Sequence, residues 1–357
     1  MKRYDNLYNF SMEDIKFIYK LVRINTKNKE KIKRFDDYYS VNLSRVKYVL
    51  DNNLYKVGKY NVFLIKEPKY RIIMSQSIID KLVNHLVAYK ILIPIIDKSL
   101  INTNVATRKG RGTHFGIFYL KRYLNKFKGK EVYALKFDIL KFFYNIDHDV
   151  LIKLLKNKIK DKKALDILVN IINSTDGDYI NECIKNIKIN KLSKLKDKKS
   201  IDEIKNIPYY KKGKGLPIGN MTSQILAIYY LNELDHFIKE KLKCKFYIRY
   251  MDDGIILSSD KEYLKYCLNE IIKLLDRYKL RLNNKTKIVD VNKEGVDFLG
   301  FRFYIKDKVI LRVRNSTKKR FKRKIKNCDS IVFKRYVSHL KWGNCYNLIN
   351  SVINVNK

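Results

Sequence analysis

The chain has 357 residues, 46% of them hydrophobic, and 77 lysines and arginines against 36 acids leave a net charge of +41. That apolar fraction excludes a disordered chain, and the length allows two or three structural regions. Solubility does not require so large an imbalance. A polyanionic partner accounts for it, because basic side chains that displace condensed counterions from phosphates gain affinity. AT-rich coding bias inflates lysine without explaining why acids fail to balance it. Charge alone does not separate an enzyme from a coating protein.

The N-terminus, Met1-Lys2-Arg3-Tyr4-Asp5, lacks the apolar core of a signal peptide, and the apolar run Ile91 to Ile96 is too short to span a bilayer. Cys183, Cys244, Cys267, Cys328 and Cys345 are far apart in sequence with no C-x-x-C pair, which argues against a disulfide framework or a zinc site. The expectation is a reduced, cytoplasmic protein with no membrane partner.

Residues 1–60 read as short helices, one with Val46, Leu50 and Leu54 on its apolar side. Residues 61–73 alternate around a Pro68 turn, predicting a hairpin that carries Lys69 and Arg71 at its tip or second strand. A helix is predicted from Gln76 to Ile91, with Leu82, Leu86 and Tyr89 on one side. Arg108 to Gly116 reads as a basic loop ending in a Thr113 helix cap, suited to a nucleic-acid backbone. Three strand-like runs follow: Val132–Phe137, then Phe246–Tyr250 with Ile255–Leu257, then Val296–Phe303. Helical patterns at 149–160, 223–242 and 261–280 separate them, giving a β-α-β-β-α-β order. The Lys-, Asn- and Ile-rich segment 155–214 is either an irregular insertion or a helical element. Lys318 to Lys324 reads as a basic helix with interleaved apolar residues, favouring phosphates.

The chemistry centres on Tyr250-Met251-Asp252-Asp253, two acids in a turn between apolar β-rich runs. A hairpin tip projects carboxylates rigidly, and two-metal phosphoryl transfer needs such oxygen ligands to hold two Mg²⁺ ions about 3.5–4 Å apart. Asp138, closing the run Tyr133 to Phe137, supplies a further acid at a strand end. A solvated turn is the bland alternative for an arbitrary Asp-Asp pair, but the apolar flanks and Asp138 weigh against it. Asp147 precedes the helical pattern Val150, Leu151, Leu154, Leu155 and reads as a helix cap. The five histidines show no metal-ligand spacing.

Phe137-Asp138-x₄-Phe143 followed by Tyr250-Met251-Asp252-Asp253 resembles motifs A and C of reverse transcriptases. The resemblance spans roughly residues 60–305. Lys69-Tyr70-Arg71 resembles the fingers strands that grip the incoming triphosphate, and Gly215-Leu216-Pro217-Ile218-Gly219-Asn220-Met221-Thr222-Ser223-Gln224 resembles motif B. Leu282-Asn283-Asn284-Lys285-Thr286 is similar to motif D and Phe298-Leu299-Gly300 to the primer grip. The implied fold is α+β, a right-hand polymerase with fingers, a palm built on the split β-α-β-β-α-β sheet, and a short helical thumb. The implied divisions are 1–130 for N-terminal helices and fingers, 131–305 for the palm with a fingers insertion at about 155–222, and 306–357 for the basic thumb.

The resemblance further implies an RNA-directed DNA polymerase with two Mg²⁺ ions, Mn²⁺ being an alternative, at Asp138, Ile139, Asp252 and Asp253. It places dNTP contacts at Lys69, Arg71, Phe143, Ile218 and Gln224. Phe143 matches the steric gate that rejects a ribose 2′-hydroxyl, and Lys285 the lysine that protonates the departing pyrophosphate, with Lys287 a near rival. Lys319, Arg320 and Arg323 are expected on nucleic-acid phosphates. Template RNA, a DNA or RNA primer, cDNA and dNTPs are the implied partners.

Motif B narrows the family. Many reverse transcriptases carry Gln where this chain has Ile218, and end in Ser-Pro where it has Ser223-Gln224. That pattern, with the closing segment Ser338 to Tyr346, resembles the enzymes of bacterial and phage diversity-generating retroelements. These copy a template RNA with errors opposite adenine, assisted by a small basic accessory protein. The alternatives are an antiphage-defence reverse transcriptase with the same chemistry, a group II intron-type enzyme, and a non-catalytic RNA-binding protein.

Overall fold

The computed structural model describes residues 3–66, 68–325 and 330–353. The chain is mixed α and β and divides into two compact units. One comprises Met1–Ile101, Ile139–Asp235 and Leu274–Arg281, the other Asn102–Asp138, His236–Lys273 and Leu282–Lys357.

The first unit is mainly helical. Strands β1 (Asn61–Lys66) and β2 (Tyr70–Ser75) form the predicted antiparallel hairpin, with Ile65 opposite Arg71. Its inner face, Ile72 and Met74, joins a core with Ile180, Ile184, Ile204 and Ile207. The segment left open by composition is therefore helical, at Lys162–Ile172, Asp178–Leu192 and Lys198–Lys205. Two register expectations need correction. Helix Tyr39–Asp51 buries Val46 and Leu50, but it stops before Leu54, and Asn53 at φ 54° carries that leucine into solvent. The helix Ile78–Leu86 continues through a π-helical stretch, Val87–Leu92. The wider turn rotates the face, so Leu82 and Leu86 are buried while Tyr89 is exposed.

The second unit holds two sheets. The larger has the order β4 (Phe246–Tyr250), β5 (Asp253–Ser258), β3 (Tyr133–Asp138), β6 (Lys287–Asp290), with every neighbouring pair antiparallel. The split β-α-β-β-α-β layout is present, but its last strand is β6 rather than the Val296–Phe303 run. That run is itself a hairpin, β7 (Val296–Phe298) and β8 (Phe301–Ile305), extended by β9 (Val309–Val313) into a separate three-stranded sheet. The turn is Leu299-Gly300, both at positive φ (49° and 89°), the twist that closes a two-residue hairpin. Both sheets share one apolar core with Ile117, Leu120 and Leu124 of helix Thr113–Leu124 and with Phe321 and Leu340. That helix starts at Thr113, but Gly112 is its N-cap and no side chain caps it. At Gly254 a Cβ would stand 2.2 Å from the Phe137 ring, so only glycine lets β3 and β5 close over that phenylalanine. Cys244 and Cys267, far apart in sequence, bring their Sγ atoms within 3.6 Å as free thiols; Cys328 lies outside the described residues. Among the described residues no helix is long and apolar enough to cross a membrane.

Candidate active site

Strand pairing assembles the predicted acids. Asp138 ends β3 directly opposite Asp253, which begins β5, and Asp253 in turn faces Tyr250. Asp252 belongs to the two-residue turn between β4 and β5, whose first residue, Met251, is held at φ 55°. The three carboxylates thus stand at one end of one sheet, each on rigid backbone.

Their electrostatics are those of crowded, half-buried acids. Burial pushes the Asp252 carboxyl up to about 7, and the neighbouring Asp138 and Asp253 charges add to it. Burial also raises Asp253 to about 6, although Lys136 pulls the other way, and raises Asp138 above the ordinary carboxylate range. The interaction between Asp138 and Asp252 lowers the first carboxyl and raises the second. Asp253 Oδ1 is buried without a hydrogen-bond partner. Among the described residues no three acidic, His or Cys side chains already close around a point as ligands of an ion would. The donor chemistry nonetheless fits a hard divalent cation. Three oxygen-bearing acids repel one another, and one buried acceptor is unsatisfied. Ile139, the next residue, has a buried side chain without donor atoms and offers only its carbonyl.

Two residues not singled out from sequence hold this site together. Lys136, two positions before Asp138 on the same face of β3, places Nζ 3.4 Å from Asp253 Oδ2 and donates to the Asp297 carbonyl at 2.7 Å. Asp297 is itself gripped by Arg302 at 2.7 and 3.0 Å. Asn283 donates its backbone N–H to the Asp138 carbonyl at 2.7 Å and its side-chain amide to Asp138 Oδ2 at 3.1 Å. The sequence signal for Asn283 was its place in the motif D-like segment. Lys136 had none beyond its spacing from Asp138. Lys136, Asp138, Asp253, Lys285, Arg302 and Arg314 line an open cleft of about 810 Å³. Lys285 is exposed there, and its charge helps lower Asp138. Lys287, its rival, is the first residue of β6 and lines the same cleft.

The expected nucleotide-pocket residues lie in the first unit. Lys69 and Arg71 are exposed near the tip of the β1–β2 hairpin. Met74 of β2 donates its N–H to the Ile218 carbonyl at 2.9 Å, fastening the hairpin to the motif B-like loop. Gly219 sits at φ 135° with Met74 O 2.6 Å from where a Cβ would be, so the loop hugs β2 as no other residue allows. Leu216 donates to the Phe143 carbonyl at 2.8 Å, Gly215 to Ile146 at 2.8 Å, and His148 to Gly213 at 2.9 Å. The Phe143 segment and the Ile218 loop are therefore zipped together. Phe142 is buried, whereas Phe143 is half-exposed. Ile218 is half-buried; Gln224 is exposed on a helix, Met221–Tyr230, that is otherwise mostly buried. Asp147 caps helix His148–Lys156 through Val150 N–H and pairs with Lys279 at 2.7 Å, a structural role.

Of the primer-grip residues, Phe298 is fully buried and serves the core, so the hairpin presents the Leu299-Gly300 turn instead. The basic helix spans Asn315–Lys324. Thr317 and Phe321 anchor its inner face, leaving Lys319 and Arg323 exposed and Arg320 half-exposed.

A family profile described as reverse transcriptase (RNA-dependent DNA polymerase) matches residues 59–303. The chain is 26% identical over 197 residues to a putative COX1/OXI3 intron 2 protein of Saccharomyces cerevisiae, covering 47% of this chain and 23% of that protein. It is 31% identical over 168 residues to an uncharacterized 91 kDa protein in a cob intron of Schizosaccharomyces pombe, covering 47% of this chain and 17% of that one. The matched region is thus about a fifth of those relatives' length. Among solved structures, telomerase from Candida albicans, in complex with a fragment of telomeric RNA, aligns at a TM-score of 0.45 and 15% identity, covering 85% of this chain and 56% of that one.

Proposed function

The chain belongs to the reverse transcriptase (RNA-dependent DNA polymerase) family, and from that premise we propose that it copies an RNA template into cDNA at Asp138, Asp252 and Asp253. The observation that carries the reading is the pairing of Asp138 with Asp253 at one sheet end, beside Asp252. Reverse transcriptases work with divalent metal ions; bound here by the three acids, two Mg²⁺ ions (or Mn²⁺) would activate the primer 3′-hydroxyl and steady the leaving pyrophosphate. The chain's own residues do the rest. Asn283 orients Asp138, Lys136 steadies Asp253, and Lys285 stands in the same cleft as proton donor to pyrophosphate. Lys69 and Arg71 grip the triphosphate as fingers residues, Phe143 excludes the ribose 2′-hydroxyl, and Lys319, Arg320 and Arg323 hold phosphates as part of a thumb. A cytoplasmic setting fits this work.

The finer reading is a diversity-generating retroelement enzyme, error-prone opposite adenine and assisted by a small basic protein. Ile218 supports it. Its carbonyl is tied down by Met74, so the loop is fixed while its side chain offers shape without hydrogen bonds. A mispair there forfeits little more than a correct pair does. Sequencing cDNA made by the parent and by Ile218→Gln on the same RNA tests this. The substitution should lower errors at template adenines by up to about tenfold, the worth of one polar contact. Faithful copying of adenine by the parent, with its RNA and accessory protein present, rejects the retroelement reading. A defence enzyme would then be favoured. The intron-encoded relatives favour a second alternative, an intron-type enzyme, which would copy its own intron RNA in preference to a repeat-derived template.

A further inference from the structure

Behind the catalytic row lies a second row of the same sheet, Phe137–Gly254–Arg249, facing the opposite way because strand side chains alternate. Its outer member, Arg249, is fully buried and is the largest such side chain among the described residues. Burying a guanidinium is costly unless its donors are used. Here Nη1 donates to the carbonyl of Met251, the residue held in the left-handed region at φ 55°. That carbonyl belongs to the peptide plane joining Met251 to Asp252, so whatever fixes its direction also fixes where the Asp252 Cα departs.

Arg249 is in turn held by the chain on its far side. Its N–H donates to the Thr103 carbonyl at 3.0 Å and its own carbonyl accepts from Val105 N–H at 3.0 Å. The same segment touches the turn again through Thr107 Oγ1, 3.6 Å from Met251 Sδ. A strained two-residue turn is thus pinned through one buried side chain to the 103–107 segment.

We infer that Arg249 is a positioning residue, its guanidinium gripping the Met251 carbonyl so that the strained turn presents Asp252 to metal in one orientation. This rests on the reading of Asp138, Asp252 and Asp253 as the metal site. It goes beyond that reading by assigning the turn's geometry to a residue that touches neither metal nor substrate.

The test compares the parent, Arg249→Lys and Arg249→Met on a primed RNA template. Arg249→Lys keeps a buried cation but loses the planar fork. In each folded variant the half-saturating Mg²⁺ concentration should rise at least about fivefold, as expected for losing one charge-assisted hydrogen bond. The dNTP KM at saturating Mg²⁺ should change little. A second readout needs no turnover: Fe²⁺ with ascorbate and peroxide should cleave the parent chain near Asp138 and Asp252, and cleave the variants there far less. If Arg249→Met fails to fold, Arg249→Lys decides. A variant with lower thermal stability but parental Mg²⁺ dependence and parental cleavage overturns the assignment, leaving Arg249 a core residue. A parent that neither incorporates dNTPs nor cleaves at those sites would instead reject the metal-site reading itself.

Discussion

Lys136 stands 3.4 Å from Asp253 Oδ2 and 2.7 Å from the Asp297 carbonyl, joining an acid of the four-stranded sheet to the first strand of the three-stranded one. Its ammonium pulls down a carboxyl that burial otherwise drives upward. Replacing Lys136 with Met should therefore raise the Asp253 carboxyl further and move the acid limb of the activity–pH profile to higher pH. Activity at neutral pH should fall about three- to tenfold, because a larger fraction of that carboxyl is then protonated. Lys136→Arg should restore most of it. An unmoved acid limb in a folded Lys136→Met protein would detach the ammonium from the site.

Asp252 makes a pH prediction of the opposite kind from most acids. Its folded-state carboxyl is raised to about 7, so between about pH 4 and pH 7 the folded chain binds a proton that the unfolded chain has released. Without divalent metal, this group's contribution to stability is present at the acidic end and is lost as pH rises through 7. Asp14, Asp147 and Asp297 are lowered, and their contribution is lost instead as pH falls through the ordinary carboxylate range and below. Urea titrations in EDTA at pH 5.5 and 8 should show Asp252→Asn gaining more stability over the parent at pH 8 than at pH 5.5, which lies near the middle of that window. Equal differences at both pH values would contradict the raised carboxyl.

Phe143 is half-exposed beside buried Phe142, five residues beyond Asp138. Phe143→Ala should raise rNTP incorporation relative to dNTP at least about tenfold, because the clash with the 2′-hydroxyl disappears. Single-nucleotide extension with each substrate gives the ratio. Aggregation of the variant would mark a core ring, and unchanged selectivity in an active variant would remove the gate.

The helix Asn315–Lys324 buries Thr317 and Phe321 and exposes Lys319 and Arg323. Changing Lys319, Arg320 and Arg323 together to Ser should weaken RNA binding and flatten the log–log salt dependence by about two to three units, if each contacts one phosphate. An unchanged slope would mean that this helix faces solvent and the charge is background.

Much of the site was legible because its residues are local: an acid at a strand end, two acids in a turn, a glycine-flanked loop. What sequence missed depended on pairing or on small geometric steps. The strand Lys287–Asp290 is four residues long with a charge at each end, so the longer Val296–Phe303 run took its place. That run was read as one strand because Leu299, an apolar residue, hides a left-handed turn. A π-helical stretch displaced Tyr89 from its predicted face. Lys136 and Arg249 were lost among 77 basic residues, where no single cation stands out until its neighbours are known.

The central claim is that the acids paired at the end of β3 and β5 catalyse RNA-directed DNA synthesis. Mg²⁺-dependent dNTP incorporation on a primed RNA template, measured for the parent, Asp138→Asn and Asp252→Asn, tests it most directly. Asn is nearly the size of Asp, so the fold and RNA binding should survive. Incorporation should fall by at least about a thousandfold, the scale of losing a transition-state charge partner. Parental incorporation in either variant would contradict the account.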